Sequence, residues 1–161
     1  MDLDKKIERQ NNKNIELRDF VKNANKVYKS FFKTEYNYSN NEALEELGLD
    51  EELMDQLLED YISQIIKAIV QFEHMIYKLQ NAKDAKKELD YTELRDLAHK
   101  NLGVARNLRI KDAVILLDDL MNKDELEYLF LCIEVLQASA VRINPKCAFN
   151  TIKLIEVKSS F

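Results

Sequence analysis

Glycine and proline are scarce in this chain, with two glycines and one proline among 161 residues. Tight hairpin turns and sheet corners depend on these two residue types, so the chain has little material for a β-fold. Hydrophobic residues make up 46% and charged residues 33% of the sequence. This composition favours an all-α protein, long enough to bury a core without disulfides or metal.

Cysteine and histidine are also few, with two residues of each type. Cys132 lies in an apolar helical run and Cys147 stands apart from it, so the sequence suggests neither a disulfide framework nor a His/Cys metal site. No apolar run approaches the roughly 20 residues that span a bilayer. The charged start is not followed by the apolar core of a signal peptide. We therefore expect a cytoplasmic protein without membrane insertion.

The net charge of −5 is unevenly distributed along the chain. Residues 1–40 contain nine Lys or Arg against six Asp or Glu, a net +3, which leaves −8 on the remainder. An acidic body argues against a nucleic-acid groove, and the basic stretch lacks the density of an RNA-binding arm. We expect no nucleic-acid partner.

Apolar residues recur at helical spacing along most of the chain. Asp50 and Asp112 are candidate N-caps, Gly48 suits a helix C-terminus, and Asn144 followed by Pro145 suits the start of a last segment. The sequence of that last segment fits either a short helix or an extended tail. The other predicted helices cover residues 15–33, 42–47, 51–82, 91–110, 113–121 and 124–141.

The short connections between these helices favour an antiparallel, up-down-up-down four-helix bundle with an additional N-terminal amphipathic helix. We divide the chain into an N-terminal extension (1–40), the bundle (41–143) and a C-terminal short helix or tail (144–161). The apolar stripe of residues 15–33 needs cover. It could pack on the bundle, form a homodimer or bind a membrane surface.

The helix over residues 91–110 places one histidine on its polar face. At about 100° per residue, His99, Gly103 and Arg106 share this face, and Lys100 points about 100° away from His99. A mid-helix glycine costs about 1 kcal/mol relative to alanine, so Gly103 suggests that something approaches the imidazole. The same geometry also fits a plain surface histidine beside a tolerated glycine. Asp118 and Asp119, in the next helix, could orient the imidazole or be ordinary solvated acids.

The segment Ala98-His99-Lys100-Asn101-Leu102-Gly103-Val104-Ala105-Arg106-Asn107-Leu108 resembles the motif A-H-x-[LI]-K-G-x-A-x-x-[LF] of histidine-containing phosphotransfer (HPt) domains. Five motif positions match, and a looser resemblance extends over about residues 41–140. The sequence departs from the motif at two positions, where Asn101 replaces the usual apolar residue and Leu102 replaces the usual lysine.

The resemblance implies a phosphorelay intermediate that accepts and donates a phosphoryl group on His99. Its expected partners are a response-regulator receiver domain and a hybrid sensor histidine kinase. The chain would need no cofactor of its own, because the receiver supplies Mg²⁺. Lys100, Gly103 and Arg106 would form the surface that contacts the phosphoryl group and the partner. The alternative is a degenerate HPt-like adaptor that binds receivers or another partner without phosphotransfer.

Overall fold

The structure is a computed structural model that describes residues 3–33 and 36–159, with side chains described from residue 16 onward. This part of the chain contains seven α-helices and no β-strand, which confirms the all-α prediction. None of the described helices is both long and apolar enough to cross a membrane. The helices are α1 (Leu3–Phe31), α2 (Asn41–Leu47), α3 (Glu51–Asp84), α4 (Thr92–Asn107), α5 (Lys111–Asn122), α6 (Leu126–Ile143) and α7 (Pro145–Ser159).

Local side-chain chemistry sets several helix ends where the sequence predicts them. Gly48 follows α2 with φ of +65°, in the left-handed region that glycine adopts without strain. At the start of α3, the Asp50 carboxylate accepts a hydrogen bond from the Leu53 amide at 2.8 Å. At the start of α7, the Asn144 side-chain oxygen accepts one from the Cys147 amide at 3.1 Å. These contacts satisfy amides that have no partner inside the helix.

Several predicted helix boundaries differ from the structure, and the structure decides the alternative left open for the last segment. Helix α1 begins at Leu3 rather than at residue 15, because extending an existing helix is easier than starting one. The last segment is the helix α7 and not an extended tail. The prediction of Asp112 as an N-cap is wrong, since Ile110 occupies that position and Asp112 lies inside α5. Helix α6 starts at Leu126, two residues after the predicted start.

Each of the helices α3, α4 and α5 packs on the helix that follows it, and α6 packs back on α3. Gln64 of α3 meets Asn101 of α4. Further along, Lys78 of α3 lies 4.0 Å from Glu93 of α4. Because residue numbers rise along one helix as they fall along the other, α3 and α4 run antiparallel.

Side-chain hydrogen bonds also join α5 to α4 and to α6. The Arg95 guanidinium, near the start of α4, donates to the Leu120 carbonyl near the end of α5 at 2.6 Å. The Tyr128 hydroxyl, near the start of α6, donates to the Asp119 carboxylate of α5 at 2.5 Å. The end of α5 therefore lies beside the starts of α4 and α6.

Helix α1 packs on α6 and α7 of the same chain. Ala24 and Tyr28 of its apolar stripe are buried, and five further residues pack on the core: Phe20, Val21, Val27, Phe31 and Phe32. The stripe is therefore covered within the chain, and the packing gives no support to a homodimer through residues 15–33.

Two apolar residues that helical spacing places on the buried faces are exposed. Leu53 of α3 is 46% exposed, and Phe130 of α6 is 43% exposed. The long helices have more apolar positions than their neighbours cover, so part of the predicted core forms surface.

Candidate functional site

His99 lies in the middle of α4, on the side of the helix that faces away from the core. The Asp90 carboxylate stabilises the start of α4 by accepting hydrogen bonds from the Thr92 amide at 3.0 Å and the Thr92 hydroxyl at 2.6 Å. Leu94, Ala98 and Ala105 are buried. His99 is exposed, as its position on the helix predicts.

The other three predicted site residues, Lys100, Gly103 and Arg106, are exposed as well. The side chains of His99, Lys100 and Arg106 make no hydrogen bond or ion pair with any described residue. Helical geometry turns Lys100 away and keeps Arg106 on the side of His99. The helix thus presents the His99 imidazole, a nucleophile, and the Arg106 guanidinium, a cation, on one side. Neither group has a hydrogen-bond or ion-pair partner among the described residues.

Gly103 separates His99 from Arg106 along this face. A Cβ atom added there would meet nothing within 4 Å, and the backbone of Gly103 is ordinary helix rather than left-handed. Neither packing nor backbone conformation within the chain therefore requires glycine.

Leu102 is only 2% exposed, although it lies only about 60° from His99 around the helix axis. The buried arc is wider than helical periodicity suggests because α4 packs on α3 along one side and on α5 along the other. The position at which the HPt motif has lysine therefore points into the core of this protein. Cations for the His99 face must come from other positions.

Asn101 is 1% exposed and finds hydrogen-bond partners inside the fold, as a buried amide requires. Its nitrogen donates to the Leu97 carbonyl at 2.9 Å. Its oxygen accepts from the Gln64 nitrogen at 3.5 Å, at the limit of a hydrogen bond. The departure from the motif at this position is thus accommodated by a partner on α3.

Contacts from other elements hold both ends of α4. At its start, the Arg95 guanidinium donates to the carbonyls of Leu120 and Lys123, both at 2.6 Å. Just beyond its end, the Tyr38 hydroxyl donates to the Leu108 carbonyl at 2.7 Å. These contacts fix the position of the His99 face relative to the rest of the molecule.

The neighbouring acids do not orient the imidazole. The Asp119 carboxylate accepts a hydrogen bond from Tyr128, and Asp118 is exposed. Neither forms a hydrogen bond with His99 in the described structure. No group of three or more His, Cys, Asp or Glu among residues with described placement could hold a metal ion. The site therefore consists of an unpaired imidazole, a cation and an open helix surface.

A second polar cluster was missed by the sequence reasoning. Asp112 is 7% exposed and accepts a hydrogen bond from the Tyr28 hydroxyl at 2.9 Å. The Arg142 guanidinium lies over the Tyr28 ring, 3.8 Å from its centroid. Tyr28 and Asp112 are 84 positions apart in the sequence, and the three residues come from α1, α5 and α6. Helical spacing along one segment could not bring them together.

Comparisons of the chain with family models, with curated proteins and with solved structures gave no match.

Proposed function

We propose that this protein is a phosphorelay intermediate of two-component signalling, which accepts and donates a phosphoryl group on His99. The observation that carries the proposal is the free face of α4, where His99 is exposed, Gly103 leaves open space and Arg106 has no partner within the described chain. A receiver domain needs access of this kind to the imidazole. In this role the chain is a phosphohistidine carrier rather than a stand-alone enzyme.

The arrangement of helices is compatible with this role. The contacts of α3 with α4, α4 with α5, α5 with α6 and α6 with α3, together with the antiparallel arrangement of α3 and α4, support an up-down-up-down four-helix bundle of the HPt type. We place the protein in the cytoplasm, between a hybrid sensor histidine kinase and a response regulator.

The chemistry requires little from this chain. A neutral imidazole nitrogen of His99 attacks the phosphorus of the receiver's phospho-aspartate in line, so that a P–N bond forms as the P–O bond breaks and the aspartate carboxylate leaves. The receiver supplies Mg²⁺ for charge neutralisation. Arg106 would stabilise the phosphoryl group from the histidine side, because it lies two turns along the same face.

A non-catalytic adaptor is the second candidate, and the burial of Leu102 favours it. The motif's lysine is missing, and its position faces the core, so a cation cannot be restored there by a simple substitution. In this case the α4 face would bind a receiver without accepting phosphate.

The deciding experiment is incubation of the protein with phosphorylated receiver domains, followed by detection of acid-labile phosphate. We expect His99→Gln to abolish labelling without unfolding, since exposed substitutions usually cost under about 0.5 kcal/mol. His74→Gln is the matched control, because His74 is also exposed but lies on α3, and it should label normally. Arg106→Ala should slow acceptance or shorten the phosphohistidine lifetime more than Lys100→Ala does.

Three results would change the assignment. Labelling that survives His99→Gln would place the acceptor elsewhere. Equal rates for Arg106→Ala, Lys100→Ala and the unmodified chain would remove the proposed role of Arg106. Receivers that bind the unmodified chain but never label it would establish the adaptor.

A further inference from the structure

A groove runs between the end of α3 and the first half of α6 and continues under α1. It consists of two adjoining hollows of about 470 and 280 Å³. Glu73 and Phe130 line both hollows, so the two form one continuous surface. Tyr77 lies in the first hollow, and Phe20 and Val27 of α1 lie in the second.

Large apolar side chains line this groove without being covered. Phe130 is 43% exposed and Tyr77 is 67% exposed. Covering apolar surface is worth about 25 cal/mol per Å², and aromatic residues in hollows are frequent centres of binding energy. The groove therefore has the apolar centre that a protein interface needs.

The charges on the groove have a single sign. Glu73, Glu127 and Glu134 line it, whereas none of its lining residues with described side chains is Lys, Arg or His. Partial burial and the nearby charge of Glu134 raise the pKa of the Glu73 carboxyl. A positively charged partner would complement these carboxylates.

We propose that this groove binds an amphipathic helix of a partner protein, with apolar residues on Phe130 and Tyr77 and with Lys or Arg side chains beside Glu127 and Glu134. Glu127 and Glu134 are seven residues apart, so they lie two turns apart on one side of α6, with Phe130 between them. An opposing helix also returns a side chain to the same face after two turns, so two of its cations could lie beside these two carboxylates. Addition of a peptide as a β-strand would need a free strand edge, and the described chain has no strand.

The length of the groove sets the length of its occupant. Its lining residues on α6 extend from Leu126 to Val141, which at 1.5 Å per residue is about 22 Å or four turns of helix. None of the residues that line it belongs to α4 or α5. The groove is therefore separate from the His99 face, and its partner could bind whether or not His99 carries phosphate.

The test uses the full chain and two synthetic helical peptides of about 16 residues. One peptide has leucines along one face and lysines elsewhere, and the other has glutamates in place of the lysines. Fluorescence anisotropy measures the affinity of each. We expect the lysine peptide to bind, with an affinity that falls as salt rises, and the glutamate peptide to bind much more weakly.

Variants locate the binding surface. Phe130→Ala should weaken binding of the lysine peptide by about tenfold or more. The double variant Glu127→Gln with Glu134→Gln should reduce both the affinity and its salt dependence. Ile115→Ala is the matched control, because Ile115 is 50% exposed on α5 and does not line the groove. His99→Gln should bind the peptide normally, which separates this surface from the proposed phosphotransfer.

Several results would overturn the proposal. One is equal affinity of the chain for the two peptides. Another is that Phe130→Ala and Ile115→Ala weaken binding of the lysine peptide equally, although both variants keep the thermal unfolding of the unmodified chain. Sedimentation velocity addresses a second copy as occupant. If the chain forms a dimer that Phe130→Ala dissociates, the groove is a self-association surface and not a site for a basic helix.

Discussion

Because the space around Gly103 is open, a substitution at this residue should change the stability of the fold and contact with a proposed partner in opposite directions. Because an added Cβ meets nothing within 4 Å and the backbone is helical, Gly103→Ala should raise the free energy of unfolding by up to about 1 kcal/mol. The added methyl group lies on the proposed contact face, so phosphotransfer from a receiver should slow. Urea unfolding and the labelling rate measure the two effects.

Gly48 provides the contrasting glycine. Its surroundings are equally open, but its φ of +65° is unfavourable for alanine, so Gly48→Ala should lower the free energy of unfolding by about 1 kcal/mol. Phosphotransfer by this variant should not change while it remains folded. A Gly103→Ala protein that transfers phosphate faster than the unmodified chain would show that the gap has no role in access.

Single residues also show how far helical spacing predicts exposure. The pattern placed His99 and Arg106 on the exposed side of α4, and both are exposed. It failed for Leu102, which is buried, and for Phe130, which is exposed. A period of 3.6 residues gives the direction of a side chain from its own helix. The width of the buried arc depends on how many other helices pack against that helix. The sequence of one segment does not contain this information.

At the scale of the elements, the link between α1 and α5 depends on a buried hydrogen bond. The Tyr28 hydroxyl donates to Asp112 at 2.9 Å, and both residues are largely shielded from water. Tyr28→Phe removes the hydroxyl donor and leaves an Asp112 carboxylate oxygen without this hydrogen bond. The free energy of unfolding should therefore fall by about 1–3 kcal/mol. Chemical denaturation followed by circular dichroism measures this loss.

Tyr77→Phe is the matched control for that substitution. Tyr77 is 67% exposed and should tolerate loss of its hydroxyl within about 0.5 kcal/mol. A double-mutant cycle with Asp112→Asn then isolates the coupling between Tyr28 and Asp112. Equal stabilities of the two tyrosine variants would mean that the buried bond does not hold α1 in place.

Helix ends were predictable where a nearby residue determines them. Asp50, Gly48 and Asn144 make contacts within a few positions in sequence, and the structure places each as expected. Asp112 was assigned as a cap because aspartate commonly caps helices, whereas its actual partner is Tyr28 in a distant helix. Long-range contacts of this kind decide which helix packs on which, and periodicity does not report them.

For the whole molecule, buried thiol and phenol groups predict loss of stability in alkali. Burial raises the pKa of Cys132 to about 11 and that of Tyr38 to about 12. Burial raises the pKa of Tyr61 as well. In the unfolded chain these groups ionise near their ordinary values, about 8.5 for cysteine and 10 for tyrosine.

Above pH of about 8.5, the unfolded chain therefore binds fewer protons than the folded chain, so the free energy of unfolding falls as pH rises. Urea unfolding at a series of pH values measures this slope. Cys132→Ala should make the slope less steep between about pH 8.5 and pH 10, because the substitution removes one group that ionises on unfolding. An unfolding free energy that stays constant over this interval would contradict the prediction.

The contacts that hold both ends of α4 have a consequence for how fast partners bind. Arg95 fixes the start of the helix and Tyr38 its end, so the backbone beneath His99 is ordered before any partner arrives. Ordering a flexible segment would cost about 1–2 kcal/mol per residue in conformational entropy, and this helix avoids that loss. Association with the His99 face is then a rigid-body encounter, with a rate set by diffusion and mutual orientation.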